Sequence, residues 1–153
     1  MTTRAIVFLK KAGIPHDVVT YDHQEKGAVF AARATAFPLE QTVKTLVTET
    51  DSAAHCLALL PGHRQLNLKK LARILGVKRI AMADTATAER LTGYLVGGIS
   101  PFATRHPLPV VMDAAIPAAA IVMINAGQRG TMLKMAPEDI IRAMACRVAD
   151  IAR

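Results

Sequence analysis

The stretch Gly93-Tyr94-Leu95-Val96-Gly97-Gly98-Ile99-Ser100-Pro101 places three glycines within nine positions. Each glycine loses much backbone freedom on folding, so the run is costly unless the chain must turn sharply or lie against a ligand. With no Cβ in the way, Gly97, Gly98 and Ile99 can present successive N–H groups to an oxyanion or a phosphate. The same spacing also suits a tight loop that pins Ile99 into the core, and the residues alone leave both readings open. Lys44 is the second candidate, a cation between Val43 and Leu46 in an apolar run. Alternation along a strand sends such a side chain to solvent or into a cleft. Tyr21 and Phe30 read by themselves as core aromatics. His23 has no acid at a fixed spacing and is not assigned general-base work. There is no Gly-x-Ser-x-Gly elbow, and neither Ser52 nor Ser100 has a neighbouring His–Asp pair in a known pattern.

The elements that must position these residues can be read in order. Thr2 or Thr3 caps a helix over Arg4–Ala12, stopped by Gly13. An extended run follows from His16 to Tyr21, then a polar loop, then a helix over Ala28–Ala36 ended by Phe37-Pro38. Thr42–Thr48 and His55–Leu60 are rich in Val, Leu and Thr, and Glu49-Thr50-Asp51-Ser52 between them is turn chemistry, which predicts a hairpin carrying Lys44. Asn67 caps the clearest helix, where Leu68, Leu71, Ala72 and Leu75 share a face and Gly76 closes it. Arg79–Ala83 reads as a short strand, and Asp84 caps a helix to Thr92, just before the glycine run. Strands are expected over Pro109–Asp113, Ala119–Asn125 and Thr131–Met135, the last two joined by a Gly127-Gln128-Arg129-Gly130 turn. Pro137, with Glu138 and Asp139 in the first turn, opens a last helix through Arg147.

The chain has 153 residues, enough for one domain with one substantial core, and no linker or repeat divides it. Strands and helices mix without regular alternation, so the expected class is α+β with a mixed, strongly curved sheet. Apolar residues make up 52% and charged residues 20%, which excludes a disordered chain. Aromatics are only 4%, which disfavours single-strand recognition by stacked bases. The net charge of +7 and a pI near 9.9 suit an anionic partner. Lys69, Lys70, Arg73, Lys78 and Arg79 form a basic cluster that is either a solvated face or a phosphate-contact surface. Cys56 and Cys146 read as free thiols, and no residues have metal-ligand spacing. No signal pattern or run of transmembrane length is present, so a cytoplasmic protein without a membrane partner is the expectation.

The run Gly93–Pro101 resembles that of the YbaK/EbsC family of aminoacyl-tRNA deacylases. Thr20-Tyr21-Asp22-His23, Val43-Lys44-Thr45-Leu46, Gln65–Lys70, Met82-Ala83-Asp84, Gln128-Arg129-Gly130 and Ala149–Arg153 fall in the family's order, so the resemblance covers nearly the whole chain and is nearest the Cys-tRNA(Pro) branch. It implies a single editing domain over residues 1–153, with a barrel-like mixed sheet surrounded by helices. It implies that Lys44, Gly98 and Ile99 act on the ester, with Tyr21, Phe30, Thr45, Gly97 and Asn125 lining the aminoacyl site. It implies no cofactor and no metal. The partner it implies is aminoacyl-tRNA, tRNA(Pro) above all, with prolyl-tRNA synthetase alongside. Lys69, Lys70, Arg73, Lys78, Arg79 and Arg129 are then candidates for tRNA contact. In the Cys-specific branch the substrate's own thiol attacks its ester, which matches a chain without a nucleophile–base set. Asn125 stands where relatives have serine and Met132 where they have aspartate, which leaves Ala-tRNA(Pro) or another small aminoacyl-tRNA as an alternative to Cys-tRNA(Pro). A binding module without catalysis, for nucleic acid or for a phosphorylated small molecule, is the alternative outside the class.

Overall fold

The computed structural model describes residues 2–153. Its elements run α1 (Arg4–Lys11), β1 (Asp17–Thr20), α2 (Ala28–Thr35), β2 (Thr42–Thr50), β3 (His55–Pro61), α3 (Leu68–Leu75), β4 (Ile80–Met82), α4 (Thr85–Thr92), β5 (Val110–Asp113), β6 (Val122–Gln128), β7 (Thr131–Met135), α5 (Pro137–Met144) and β8 (Arg147–Ala149). The strands form one mixed sheet in the order β1-β7-β6-β2-β3-β5-β8, with β4 against β2. This is the α+β class expected, but the barrel does not close, because β1 and β8 remain edges.

The local signals explain most boundaries. Thr3, Asn67 and Asp84 each accept a backbone N–H of the helix they open. Gly76 and Gly93 adopt the left-handed conformation that ends α3 and α4. Two expectations are corrected. The last helix ends at Met144 rather than Arg147, with Ala145 left-handed at φ 49°. Arg147–Ala149 instead pairs parallel with β5. The buried carboxylate of Asp113 helps hold this segment, its Oδ1 accepting the N–H groups of Ile151 and Ala152, both at 3.1 Å. The strand expected over Ala119–Asn125 is shifted to Val122–Gln128, because Ile116–Ala118 forms a short 3-10 turn first.

The sheet separates two apolar layers. On one side Val43, Val47, Leu57, Leu59, Phe102, Ile124 and Leu133 join α1 and α5 in the main core. On the other, Ala58, Leu60 and Ile80 meet Leu71 and Ala72 of α3. No helix among the described residues is long and apolar enough to cross a membrane.

Strand β2 is used unevenly. One edge pairs antiparallel with β3 from Val43 opposite Pro61 to Glu49 opposite His55. The other edge is shared. Thr42 and Val43 run parallel to Met123 and Ile124 of β6, while Thr48–Thr50 runs antiparallel to β4. Between these two ladders the edge from Lys44 to Val47 has no strand beside it.

Candidate functional site

The gap along β2 is a notch in the sheet, and a cavity of about 370 Å³ opens there. Lys44, Thr45 and Leu46 form its strand wall, Ala28 and Ala31 of α2 close one side, and Met82, Ala83 and Thr85 another. Val96, Gly97 and Ile99 bring in the glycine loop, and Asn125 and Met132 come from the β6–β7 pair. Tyr21 and Lys26 complete the lining. Consecutive strand residues point to opposite faces. Leu46 packs in the α3 layer and Val43 and Val47 in the main core, so Lys44 and Thr45 belong to different faces. Both reach one cavity because the sheet is interrupted between them.

The register fixes what the backbone offers. Thr50 donates its N–H to Ala54 at 2.8 Å, so the even-numbered residues of β2 turn their backbone groups to β3 and the odd-numbered ones away. Val43 meets β6, the Val47 carbonyl accepts from Ala83 at 3.0 Å, and Glu49 meets β4. Thr45 N–H and C=O therefore face the notch, opposite no strand. The Thr45 hydroxyl oxygen is also buried and has no hydrogen-bond partner among the described residues. A buried polar group without a partner is uncommon in a native fold, and this one belongs to a residue of the cavity lining.

The Lys44 ammonium makes no ion pair or hydrogen bond among the described residues, and burial lowers its pKa. Burial raises the pKa of the Tyr21 phenol, opposed by a backbone hydrogen bond with Gly130. Among the described residues the lining contains no Ser, Cys, His, Asp or Glu. Among the described residues, no group of three or more His, Cys, Asp or Glu side chains is placed to hold a metal ion. Ser100, weighed as a nucleophile and set aside, is buried and its Oγ accepts the Phe102 N–H.

The glycine loop is held from both sides. Val96 N–H donates to Glu89 Oε2 at 2.8 Å, and the Val96 carbonyl accepts Arg129 Nε and Nη2 at 2.9 and 2.7 Å. Asn125 Nδ2 donates to the Gly97 carbonyl at 3.3 Å while its Oδ1 accepts Gly127 and Gln128 N–H groups. A Cβ on Gly98 would stand 2.8 Å from Arg129 N and 3.0 Å from Gln128 C, so the loop lies flat on the 127–130 turn only with glycine there. Gly97 adopts φ +94°, a conformation that favours glycine.

These facts revise several expectations. Gly98 N–H, expected as an oxyanion donor, donates instead to Leu95 at 2.8 Å and closes the loop's own turn. Of the loop residues on the cavity wall, Val96 has its N–H bound to Glu89, while the N–H groups of Gly97 and Ile99 have no acceptor among the described residues. Phe30 stands behind Tyr21, ring centroids 6.2 Å apart, rather than on the wall. Arg129, a candidate for tRNA contact, is committed to Val96. Lys70 is likewise engaged, with Asp150 at 3.0 Å and the Ala152 carbonyl at 2.9 Å. Sequence reasoning missed the part played by Glu89. A carboxylate on α4 seven residues before Val96 was its only signal.

A model of the aminoacyl-tRNA editing domain matches residues 23–143. A protein of Enterococcus faecalis, EbsC, named as a candidate Cys-tRNA(Pro)/Cys-tRNA(Cys) deacylase, is 33% identical over 71% of this chain and 66% of its own length. ProXp-y of Escherichia coli, a multifunctional Ser/Thr-tRNA deacylase, is 35% identical over 72% of this chain and 67% of its own. The chain thus spans about two thirds of the length of these relatives. A solved candidate trans-editing enzyme for prolyl-tRNA synthetase superposes with a TM-score of 0.89 at 26% identity, over 98% of this chain and 95% of that one.

Proposed function

This chain belongs to the aminoacyl-tRNA editing domain family, and from that premise we propose that it clears a wrongly attached amino acid, cysteine on tRNA(Pro), in trans to prolyl-tRNA synthetase. The observation that carries the reading is the notch cavity. It joins an unpaired ammonium, free loop N–H groups and an unpartnered hydroxyl, and among the described residues its lining has no Ser, Cys or His and no carboxylate. An aminoacyl ester is already activated, so positioning and oxyanion stabilisation suffice if the substrate brings its own nucleophile. The cysteine thiol attacks its ester carbonyl. The S–C bond forms as the C–O bond to the terminal ribose breaks, and the thiol proton passes to the ribose oxygen. The products are a cyclic thiolactone and free tRNA. Gly97 and Ile99 N–H groups are the donors available to the carbonyl oxygen, and Lys44 is the cation available to the ribose end.

A second reading has its own observation. The unpartnered Thr45 hydroxyl would pair with a substrate hydroxyl, as in serine or threonine, and ProXp-y is named for those residues. The test is single-turnover deacylation of Cys-, Ala-, Ser- and Thr-tRNA(Pro) by wild type and Lys44→Ala. Rapid loss of cysteine with thiolactone released, abolished in the variant, supports the first reading. Loss of serine or threonine in its place transfers the assignment to the hydroxyl amino acids. If no ester is cleaved faster than in buffer, the deacylase reading of these substrates fails.

A further inference from the structure

A second groove lies on the α3 side of the sheet, between α3, the β2–β3 turn and β4. Lys69, Lys78 and Arg79 line it, with Ala81 beside them. Among the described residues none of these three cations is in an ion pair, whereas Lys70 and Arg142 are. Arg73 follows Lys69 by four residues on α3, so it lies next along the same helix face, and it is exposed. Two acids also line the groove. Glu49 is turned to His55, Nε2 to Oε1 at 2.7 Å, and Asp51 stands at the tip of the hairpin.

The groove and the notch share one strand. Ile80 and Ala81 line the groove and Met82 lines the notch. Met82 lies opposite Thr48 and Ile80 opposite Thr50, the even-numbered residues of β2 that share a face with Lys44. Ile80 and Met82 therefore lie on the face of the sheet that carries Lys44. Ile80 is buried under α3, but Ala81 and Met82 are exposed, so a chain whose end enters the notch can continue over them to the cations, within a strand of three residues or about 10 Å. That is the span of one or two nucleotides.

We propose that Lys69, Lys78 and Arg79, continued by Arg73, seat the backbone phosphates of the acceptor strand whose aminoacylated end occupies the notch. The proposal rests on the editing function above and names the surface that holds its substrate. Charge complementarity supplies the argument: unpaired cations beside a path from the ester site suit a polyanion, and phosphate contacts fix orientation without reading sequence.

The test uses the whole protein and uncharged tRNA, binding being measured from about 50 to 200 mM salt. For a Lys69→Gln/Lys78→Gln/Arg79→Gln variant, removing three phosphate contacts reduces the loss of affinity across that range by about 20- to 40-fold, taking roughly 0.7–0.9 of a counterion per phosphate. Asp51→Asn, which removes the unpaired acid, tightens binding. In deacylation the triple variant raises KM and leaves the single-turnover rate at saturating tRNA unchanged. Wild-type affinity and salt dependence in the triple variant overturn the proposal, as does a loss of affinity with the wild-type salt dependence, which would signal a general loss of structure. If wild type cleaves none of the esters but the triple variant still loses tRNA, the surface stands and the deacylase reading falls.

Discussion

Thr45→Val separates function from stability at one atom. Thr45 Oγ1 is buried without a hydrogen-bond partner, and valine keeps the branched shape while removing the oxygen. A buried unsatisfied polar group costs about 1–3 kcal/mol, and a position beside an open cavity puts this one at the low end. The variant should therefore be more stable than wild type by about 1 kcal/mol, a rise in Tm of about 2–4 °C for a chain of this size. A neutral hydrogen bond from the hydroxyl to the substrate contributes about 0.5–1.5 kcal/mol, so kcat/KM should fall roughly 2- to 12-fold. The two assays are thermal unfolding of the free protein and single-turnover deacylation, with Thr45→Ser as the control that keeps the oxygen. A variant with a lower Tm and unchanged turnover would refute the reasoning, since the hydroxyl would then have a partner within the fold and no part in the site.

Three further outcomes follow from the same geometry. Arg129→Ala removes two hydrogen bonds from the Val96 carbonyl. At about 1–2 kcal/mol after discounting for its half-buried position, this should slow single-turnover cleavage about 5- to 30-fold with little change in KM or salt dependence; Arg129→Lys should restore only part, because the two-pronged contact needs the guanidinium. Loss of tRNA affinity without loss of rate would instead return Arg129 to the tRNA surface. Gly98→Ala drives a Cβ against the backbone of Gln128 and Arg129 and should cost about 1–3 kcal/mol, seen as a lowered denaturant midpoint; an unchanged midpoint would mean the loop does not lie on the 127–130 turn. Burial lowers the pKa of Lys44, so its charged form is lost at a lower pH than the ordinary lysine value of about 10.4. Enzyme-dependent cleavage, corrected for the ester's own alkaline hydrolysis, should therefore fade on the alkaline side below that value, and a rate that rises through this range would make the neutral amine the active form.

The hairpin, α3 and β7 were legible because their signals are local: turn residues, caps and an unbroken period. The capping residues Asn67 and Asp84 were also legible, and both accept the expected N–H groups. β8 was not, because Ala143 to Arg147 carries no helix-breaking residue, and what ends α5 is distant: pairing with β5 and the Asp113 carboxylate. The site divides in the same way. Lys44 and the glycine loop stood out as residue types out of place in an apolar run. That Thr45 offers backbone and hydroxyl together was not legible, because it depends on β6 and β4 stopping short of each other along one edge of β2. The Gly98 N–H was misassigned for a related reason. A glycine pair shows that the backbone comes close to something, and here the neighbour is the 127–130 turn rather than a substrate.

The notch also bears on how such a site can discriminate. An interrupted sheet edge supplies donors and acceptors already fixed by the strand, so little reorganisation is needed when the ester arrives. Among the described residues its lining supplies no histidine or carboxylate to activate water or an alcohol. A thiol ionises near pH 8.5, within reach of neutral solution, whereas an aliphatic hydroxyl does not. Under the proposed thiol mechanism, selection for cysteine would follow from the reaction rather than from the fit, which would relieve the cavity of a size discrimination that one or two atoms support poorly. Met132, packed with Asn125 Nδ2 3.7 Å from its sulfur, is consistent with this, since an apolar thioether beside the substrate leaves a thiol undisturbed and gives a hydroxyl one fewer partner. The unpartnered Thr45 hydroxyl pulls the other way. On the proposed function, the balance between Met132 and Thr45 would set the amino-acid preference: Thr45→Val should penalise a hydroxyl amino acid more than cysteine, and an equal penalty on both would place the Thr45 oxygen on the common ester rather than on the side chain.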